Sequence, residues 1–289
     1  MPYPSIEHFL ADKAACPAKG PVAVVLAEDR VEVDSTLAHH LDAGFRDVIL
    51  LAAEGVDPSP ALAARVRVVR HDVFAEGALI TAMNTLIDAL PGLWLYYCYN
   101  AEYLFHPFCE VRNVRELTAF HTEERRDAML SYVIDLYAGD LDRFQNAVSR
   151  DEAMLDRSGY YALGRPDAGN HGHPRQRQLD FFGGLRWRFE EHIPPARRKI
   201  DRIALFRAKP GLRLRDDFTL SDEEMNTYAC PWHNNITTAV MSFRTAKALR
   251  TNPGSKFDIP DFRWRNSTRF EWKSQQLMDL GLMEPGQWF

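Results

Sequence analysis

The stretch that organises this chain is residues 93–107, which read LWLYYCYNAEYLFHP. Residues 93–99 are apolar or aromatic at every position, and a run of this kind predicts a fully buried strand. A polar break follows and ends at Glu102. In open α/β sheets, ligands bind outside the carboxyl ends of the strands. The stretch therefore predicts a carboxylate at a ligand site, although capping a helix or pairing with Arg112 remains an alternative role for Glu102.

The chain before this stretch alternates short apolar runs with helical patterns. Pro4 and Ser5 begin a helix within residues 1–20, and apolar runs at 21–27, 47–52 and 66–69 predict three buried strands. Between them lie helical patterns, which run over residues 36–44 (capped by Asp34 or Ser35), 59–65 and 76–90. This alternation predicts an α/β fold with a mostly parallel sheet flanked by helices. Right-handed crossovers place all the strand ends on one edge.

The pattern changes after residue 113. A charged amphipathic helix is predicted over 114–126, a strand over 128–137, a second strand over 199–206 and a helix over 237–249. Residues 139–180 are polar and predict an excursion outside the core, and the aromatic, charged tail is expected to wrap over the sheet or to form an interface. The predicted organisation is an N-terminal arm (1–20), a main domain (21–250, divided into halves 21–138 and 139–250) and a C-terminal tail (251–289). The later part makes up a C-terminal α+β extension.

Composition excludes several function classes. The 289 residues carry a formal net charge of -5, which favours neither a nucleic-acid partner nor an anionic membrane surface. No apolar run approaches the roughly 18 residues of a membrane span, and no leader pattern is present. The four scattered cysteines favour a reducing, cytoplasmic setting. The sequence lacks the usual signatures of hydride transfer, ATP hydrolysis and serine hydrolysis, which are the glycine-rich dinucleotide, Walker A and GxSxG motifs. It also lacks an HExxH motif and a zinc-type cysteine pattern.

The order of several segments carries a family resemblance. The chain resembles bacterial family 2-like glycosyltransferases of the GT-A fold, in the subgroup whose fourth strand ends in D-x-D-E-F-L and is followed by proline. The opening stretch is similar to that strand, and the similarity extends over roughly residues 21–249. Its other segments are VVLAED (24–29), LAHHLDAGFRDVIL (37–50), SYVIDLYAGDL (131–141), DRSGYY (156–161), FGGLRWR (182–188), KIDRIALFRAKPG (199–211) and PWHNN (231–235).

The resemblance implies a GT-A-like nucleotide-diphospho-sugar transferase that moves a sugar from a nucleotide-sugar donor to a hydroxyl of an unknown acceptor, such as a surface polysaccharide. It implies nucleotide-sugar contacts from a set of residues near the strand ends and in the later half: Glu28, Asp29, Asn100, Glu102, Arg186, Arg188 and Lys199. Asp135 is the candidate general base for the acceptor hydroxyl, and capping the turn after its strand is its alternative role. In the family, a divalent cation, Mn²⁺ or Mg²⁺, bridges the donor diphosphate, and the matching ligands here are Glu102 and His233. His233 has a second interpretation as a histidine satisfied by backbone groups.

The metal motif departs from the family pattern. Counted back from Pro107, the two family aspartates fall on Tyr99 and Ala101, and only Glu102 is kept. Weakened or absent metal dependence is therefore expected, with Arg186, Arg188 or Lys199 supplying the positive charge in place of the cation. Two alternatives remain open: a catalytically degenerate protein that binds a sugar nucleotide or a partner protein, and a structural partner of a separate transferase.

Overall fold

The computed structural model describes residues 2–288, and within them the chain forms twelve strands and eight α-helices. The strands are β1 (Val22–Ala27), β2 (Asp47–Ala52), β3 (Arg67–Arg70), β4 (Trp94–Tyr99), β5 (Glu102–Phe105), β6 (Ala128–Ala138), β7 (Ala153–Asp156), β8 (Tyr161–Pro166), β9 (Pro174–Phe182), β10 (Asp201–Arg207), β11 (Thr238–Ser242) and β12 (Ser267–Arg269). The helices are α1 (Ile6–Ala11), α2 (Val33–Asp42), α3 (Pro60–Ala63), α4 (Ala78–Ala89), α5 (Val114–Glu123), α6 (Gly184–Arg188), α7 (Arg244–Thr251) and α8 (Ser274–Asp279). The chain divides into two compact units.

The first unit comprises the chain up to Leu104 together with Val111–Met129 and Ile203–Asn226. Its strands lie in the order β10-β4-β1-β2-β3. The last four are parallel, and β10 runs antiparallel to β4. Every residue of β1 and β4 is buried, as continuous apolar runs predict for a parallel sheet covered on both faces. The predicted α/β class is confirmed.

The strand order of the first unit contains a switch point. From β1 the chain steps through β2 to β3 on one side, and it then returns to place β4 on the other side of β1. The strand that follows β1 in this sheet is β2, on one side, and the strand that follows β4 is β10, on the other side. A crevice opens at this position in open α/β sheets, at the carboxyl ends of the two strands.

The helices of the first unit follow their sequence signals, with one exception. In α4 the buried residues Leu79, Met83, Leu86 and Ile87 recur at helical spacing. Asn113 caps α5 in a capping box with Glu116.

The exception is the start of α2, where the prediction of an Asp34 or Ser35 cap is wrong. Glu32 is the N-cap residue there, with φ of 55° and no side-chain cap. Asp34 instead accepts a hydrogen bond from the Ser59 backbone N–H at 2.9 Å, so its carboxylate ties the helix to the chain before α3.

The second unit comprises Phe105–Glu110, Leu130–Arg202 and the chain from Thr227 onward. In it β11 lies parallel to β6, β7 lies antiparallel to β6, and β12 pairs antiparallel with β7. A separate hairpin joins β8 and β9. Its core includes Tyr137, Leu185, Leu249 and Phe262, all buried.

Two predictions for the later chain are wrong. The helix predicted over residues 237–249 is a strand in its first part. This strand, β11, pairs with β6 and is buried at every position, and helix α7 begins only at Arg244. Residues 139–180 do not lie wholly outside the core, because β7 joins the sheet and Leu155 is fully buried. The tail wraps onto this sheet through β12, which is one of its two predicted roles.

No helix among residues 2–288 is both long enough and apolar enough to cross a membrane.

Candidate functional site

The carboxyl ends of β1 and β4 are joined by one side chain. Asn100 follows β4 and is fully buried. Its Oδ1 accepts a hydrogen bond from the Glu28 backbone N–H at 2.9 Å. Its Nδ2 donates to Asp29 Oδ1 at 2.8 Å and to the Val31 carbonyl at 2.9 Å. The loop after β1 is therefore held against the end of β4, with the side chains of Glu28 and Asp29 half-buried at the switch point.

Glu102 lies in the same turn, and its carboxylate points back into the protein. Its Oε2 accepts a hydrogen bond from the Tyr99 backbone N–H at 2.8 Å, and the residue is 1% exposed. The turn requires Ala101 at φ of 60°, a left-handed conformation that is uncommon outside glycine and asparagine. The Ala101 N–H is satisfied by Thr36 Oγ1 at 2.9 Å, so helix α2 also holds this turn.

A second polar group beside this turn was not foreseen from the sequence. Ser35 Oγ lies 2.8 Å from the Tyr103 hydroxyl and also donates to the Glu32 carboxylate. Tyr103 donates to the same carboxylate at 3.4 Å. The only local signal is a run of polar residues before a helix, and that signal predicts capping as readily as it predicts a site.

The candidate cation ligands near the switch point are bonded within the protein. In the first unit, Glu102 Oε2 accepts from the Tyr99 backbone N–H, and Asp29 Oδ1 accepts from Asn100 and from the Val31 N–H. Tyr99 and Ala101 supply no carboxylate. Across residues 2–288, no three histidine, cysteine, aspartate or glutamate side chains are grouped so that they could hold a metal ion. The donor set around Glu102 therefore does not fit a resident divalent cation.

In the second unit, Asp135 lies in β6 and is 2% exposed. Its Oδ2 accepts a hydrogen bond from the Arg186 backbone N–H at 3.4 Å, and the Arg186 Nε lies 3.7 Å from its Oδ1. Burial raises the pKa of Asp135, and the nearby Arg186 guanidinium opposes that increase. Gly184 passes so close that a β-carbon there would lie 2.9 Å from the same carboxylate. Asp135 is thus a buried carboxylate enclosed by helix α6.

The three basic candidates of the second unit are engaged with groups of the protein. Arg186 Nη1 donates to the Lys199 carbonyl at 2.7 Å, and Lys199 Nζ lies 3.4 Å from Asp180 Oδ1. Arg188 donates to both oxygens of Asp156, at 3.1 and 3.2 Å. Asp135, Arg186 and Lys199 are therefore brought together, whereas Arg188 belongs to a neighbouring network.

Asp156 is the centre of that neighbouring network, and it was not among the predicted site residues. It is 1% exposed and also accepts hydrogen bonds from the Tyr137 hydroxyl at 2.6 Å and from Trp264 Nε1 at 2.7 Å. The DRSGYY segment contains Asp156, but its three partners come from distant parts of the chain and leave no local pattern.

His233 lies in a tight turn of the second unit. Cys230 Sγ lies 3.1 Å from its Nδ1 and 3.2 Å from its Nε2, and the Cys230 N–H donates to the His233 carbonyl at 3.0 Å. Trp232, between them, is 80% exposed. The neighbour of this histidine within its turn is therefore a thiol, a partner that the sequence interpretation did not consider.

Comparison with known proteins adds one partial likeness. No protein-family model matches the chain, and no curated protein matches it. Among solved structures, TarS from S. aureus in complex with UDP aligns with 39% of this chain at 14% identity and a TM-score of 0.28. The alignment covers 35% of the TarS chain, so this protein spans about a third of the chain it matches.

Proposed function

We propose that this protein is a glycosyltransferase that uses a nucleotide-sugar donor, and that the first unit binds the nucleotide where β1 and β4 end. The observation that carries the proposal is the Asn100 bridge at the switch point of the sheet. Ligands of open α/β sheets bind in this position. The order of segments that resembles family 2-like glycosyltransferases of the GT-A fold supports the same assignment. The acceptor is a hydroxyl-bearing molecule, such as a glycan.

The carboxylates of Glu28 and Asp29 suit the nucleoside end of the donor. Carboxylate oxygens accept hydrogen bonds, and ribose hydroxyls and the N–H groups of a base can donate them. Asn100 bonds the Glu28 backbone N–H and the Asp29 carboxylate, so the loop that carries both residues is positioned before a ligand arrives. A site ordered in advance loses less conformational entropy on binding. Glu102 then acts by shaping the turn, and Asn100 acts by positioning the loop.

In the second unit, the proposal assigns Asp135 to the acceptor as general base. Burial raises the pKa of Asp135, and a general base is most effective when its pKa lies near the pH of the reaction. Arg186, Arg188 and Lys199 are assigned as the positive charges of the second unit that would offset negative charge on a bound ligand. His233 is assigned as a polar contact of the same unit for a bound ligand.

A second candidate function is nucleotide-sugar binding without transfer. The burial of Asp135 favours it, because a base that is 2% exposed and enclosed by α6 has no open path to an acceptor hydroxyl in this conformation. In that case the first unit would still bind the nucleotide.

The test measures binding first and turnover second. Isothermal titration of the full chain with UDP-, GDP- and CMP-sugars, with Mn²⁺ and with EDTA, is expected to show at least one donor that binds in both conditions. Asp29→Asn keeps the shape and the acceptor oxygen of the side chain but removes its charge, and it should weaken that donor by about ten-fold. Asp42→Asn, an exposed change at the end of α2, is the matched control and should leave binding unchanged.

Binding of none of the donors, or equal affinities for Asp29→Asn and wild type, would contradict the nucleotide site. Release of the free nucleoside diphosphate in the presence of a glycan mixture then separates transfer from binding alone. Turnover that disappears in Asp135→Asn supports the assigned base, whereas binding without any turnover favours the second candidate function.

A further inference from the structure

The second unit contains a cavity of about 790 Å³ that the proposed donor site does not use. It lies between the turn at residues 150–151 and the segment 269–273. Its size falls within the range of about 300–1,000 Å³ that is usual for small-molecule sites. Its lining combines aromatic rings with charged side chains, so its chemistry differs from that of the apolar core.

The walls of the cavity are fixed by hydrogen bonds of both the main chain and the side chains. Arg269 belongs to β12, and its Nη2 donates to the Asp151 carbonyl at 2.9 Å. The next residue, Phe270, donates its N–H to the Ala153 carbonyl at 2.8 Å. At the other end, Ser274 donates from its N–H and its hydroxyl to the two carboxylate oxygens of Glu110, at 2.5 and 2.6 Å. The segment between these anchors is therefore held at both ends by hydrogen bonds.

Trp272 is held in a strained conformation at the centre of this segment. Its φ is 57°, which is costly for a bulky residue and persists only where the surroundings enforce it. Its Nε1 donates to the Arg150 carbonyl at 3.0 Å, and the Arg150 guanidinium lies 5.0 Å from the centre of an indole ring. The rings of Phe270 and Phe105 pack beside it at 4.9 and 6.3 Å. Strain of this kind concentrates at ligand-binding positions.

The charges around Trp272 indicate what the cavity accepts. Arg150, Arg269 and Lys273 are exposed cations, and an arginine fork matches the paired oxygens of a carboxylate or a phosphate. The side chains of Asp151 and Glu271 are exposed acceptors that suit hydroxyl donors. The indole and phenyl rings offer an apolar surface for the C–H groups of a ring. A ligand that satisfies all three is a polyhydroxylated ring with one acidic group.

We propose that the cavity around Trp272 is a binding site for an acidic sugar, one that carries a carboxylate or a phosphate. The anionic group pairs with Arg150, Arg269 and Lys273, the hydroxyl groups donate to Asp151 and Glu271, and one ring edge contacts the aromatic wall. All of these residues belong to the second unit. The site therefore does not depend on nucleotide binding by the first unit, and either proposal can fail without the other.

The test titrates the full chain with four probes: glucuronate, glucose 6-phosphate, glucose and inorganic phosphate. Binding is measured by calorimetry and by the indole N–H resonance of Trp272, which Trp272→Phe assigns. At least one acidic sugar is expected to bind about ten-fold more tightly than either glucose or inorganic phosphate and to shift that resonance. Glucuronate and glucose 6-phosphate distinguish a carboxylate from a phosphate ligand.

Two variants probe the cavity charges. Lys273→Ala and Arg150→Ala should each weaken the acidic sugar by about ten-fold while the far-ultraviolet circular dichroism stays unchanged. Arg265→Ala removes an exposed arginine of the same unit that does not line the cavity, and it should bind as wild type does.

Three results would overturn the proposal. The first is that neither acidic sugar binds at concentrations up to about 10 mM. The second is that inorganic phosphate binds as tightly as the tighter of the two acidic sugars, which would make the cavity an anion site only. The third is that Arg265→Ala weakens binding as much as the two cavity variants do.

Discussion

Replacing Asn100 with alanine tests whether one buried amide holds the candidate site together. The side chain makes three hydrogen bonds, two with backbone groups of Glu28 and Val31 and one with the Asp29 carboxylate. A neutral bond contributes about 1 kcal/mol net, and a bond to a charged group contributes about 2 kcal/mol. Because the loop after β1 is partly exposed and can rehydrate, we expect Asn100→Ala to lower the free energy of unfolding by about 3 kcal/mol, somewhat less than the total of the three bonds.

The assay is urea unfolding followed by both circular dichroism and tryptophan fluorescence, since coincident transitions are needed before a single free energy is meaningful. Asn252→Ala is the matched control, because that exposed asparagine accepts one hydrogen bond from the Gly254 N–H. It should lose no more than about 1 kcal/mol. The same small loss for Asn100→Ala would refute the argument that Asn100 ties the two strand ends together.

Asn100→Asp sharpens the test through its pH dependence. The new carboxylate would be buried beside the Asp29 carboxylate, and both conditions raise a carboxyl pKa above its unfolded value of about 3.9. The folded variant would then bind more protons than the unfolded chain. The free energy of unfolding of the variant should lie furthest below that of wild type at neutral pH, and the difference should shrink as the pH falls through the raised pKa. A deficit that is independent of pH would show that the two carboxylates do not interact.

Three further changes test the surrounding structure. Tyr137→Phe removes the hydroxyl that donates to the buried Asp156 and also contacts Ser267, so the free energy of unfolding should fall by about 2 kcal/mol; an unchanged urea midpoint would contradict this. Burial lowers the pKa of His121 to about 4, so its unfolded form gains a proton first as the pH falls, and wild type should lose about 2 kcal/mol of stability by about pH 5 from this group. His121→Gln should remove that part of the pH dependence in urea unfolding at about pH 7.5 and about pH 5, and identical slopes would refute the assignment. Gly183→Ala would place a β-carbon 2.2 Å from a ring carbon of Tyr160. The free energy of unfolding should fall by about 3 kcal/mol, with a lower thermal midpoint. An unchanged midpoint would show that the ring moves away freely.

The buried strands were predictable because their signal is local. β1, β2 and β4 are continuous apolar runs, and the structure places each of them within one residue of its predicted bounds. Helix α4 was predictable for the same reason, since its apolar residues repeat at helical spacing. The prediction failed at β11, where Thr238 and the residues after it precede a helix and were assigned to it. Only the neighbouring strand β6 shows that this segment is extended.

The candidate site was predictable in position but not in its bonding. Residue type and place in the chain put Glu28, Asp29 and Asn100 at strand ends, and in the structure they lie together. The direction of the Glu102 carboxylate was not predictable, because it depends on a turn that Ala101 completes in the left-handed region. The burial of Asp135 was not predictable either, because it depends on how closely Gly184 approaches it.

The sequence by itself determined the α/β class, the buried strands and the polar residues at their ends, since each of these depends on residues that are adjacent in the sequence. Only the tertiary structure decided the strand order, the partners of the charged groups and the cavity around Trp272. The physical reason is distance along the chain: Asn100 meets Asp29 across 71 residues, and Trp272 meets Arg150 across 122. A hydrogen bond or an ion pair between such residues forms when the packed core brings them together, and no local pattern records it.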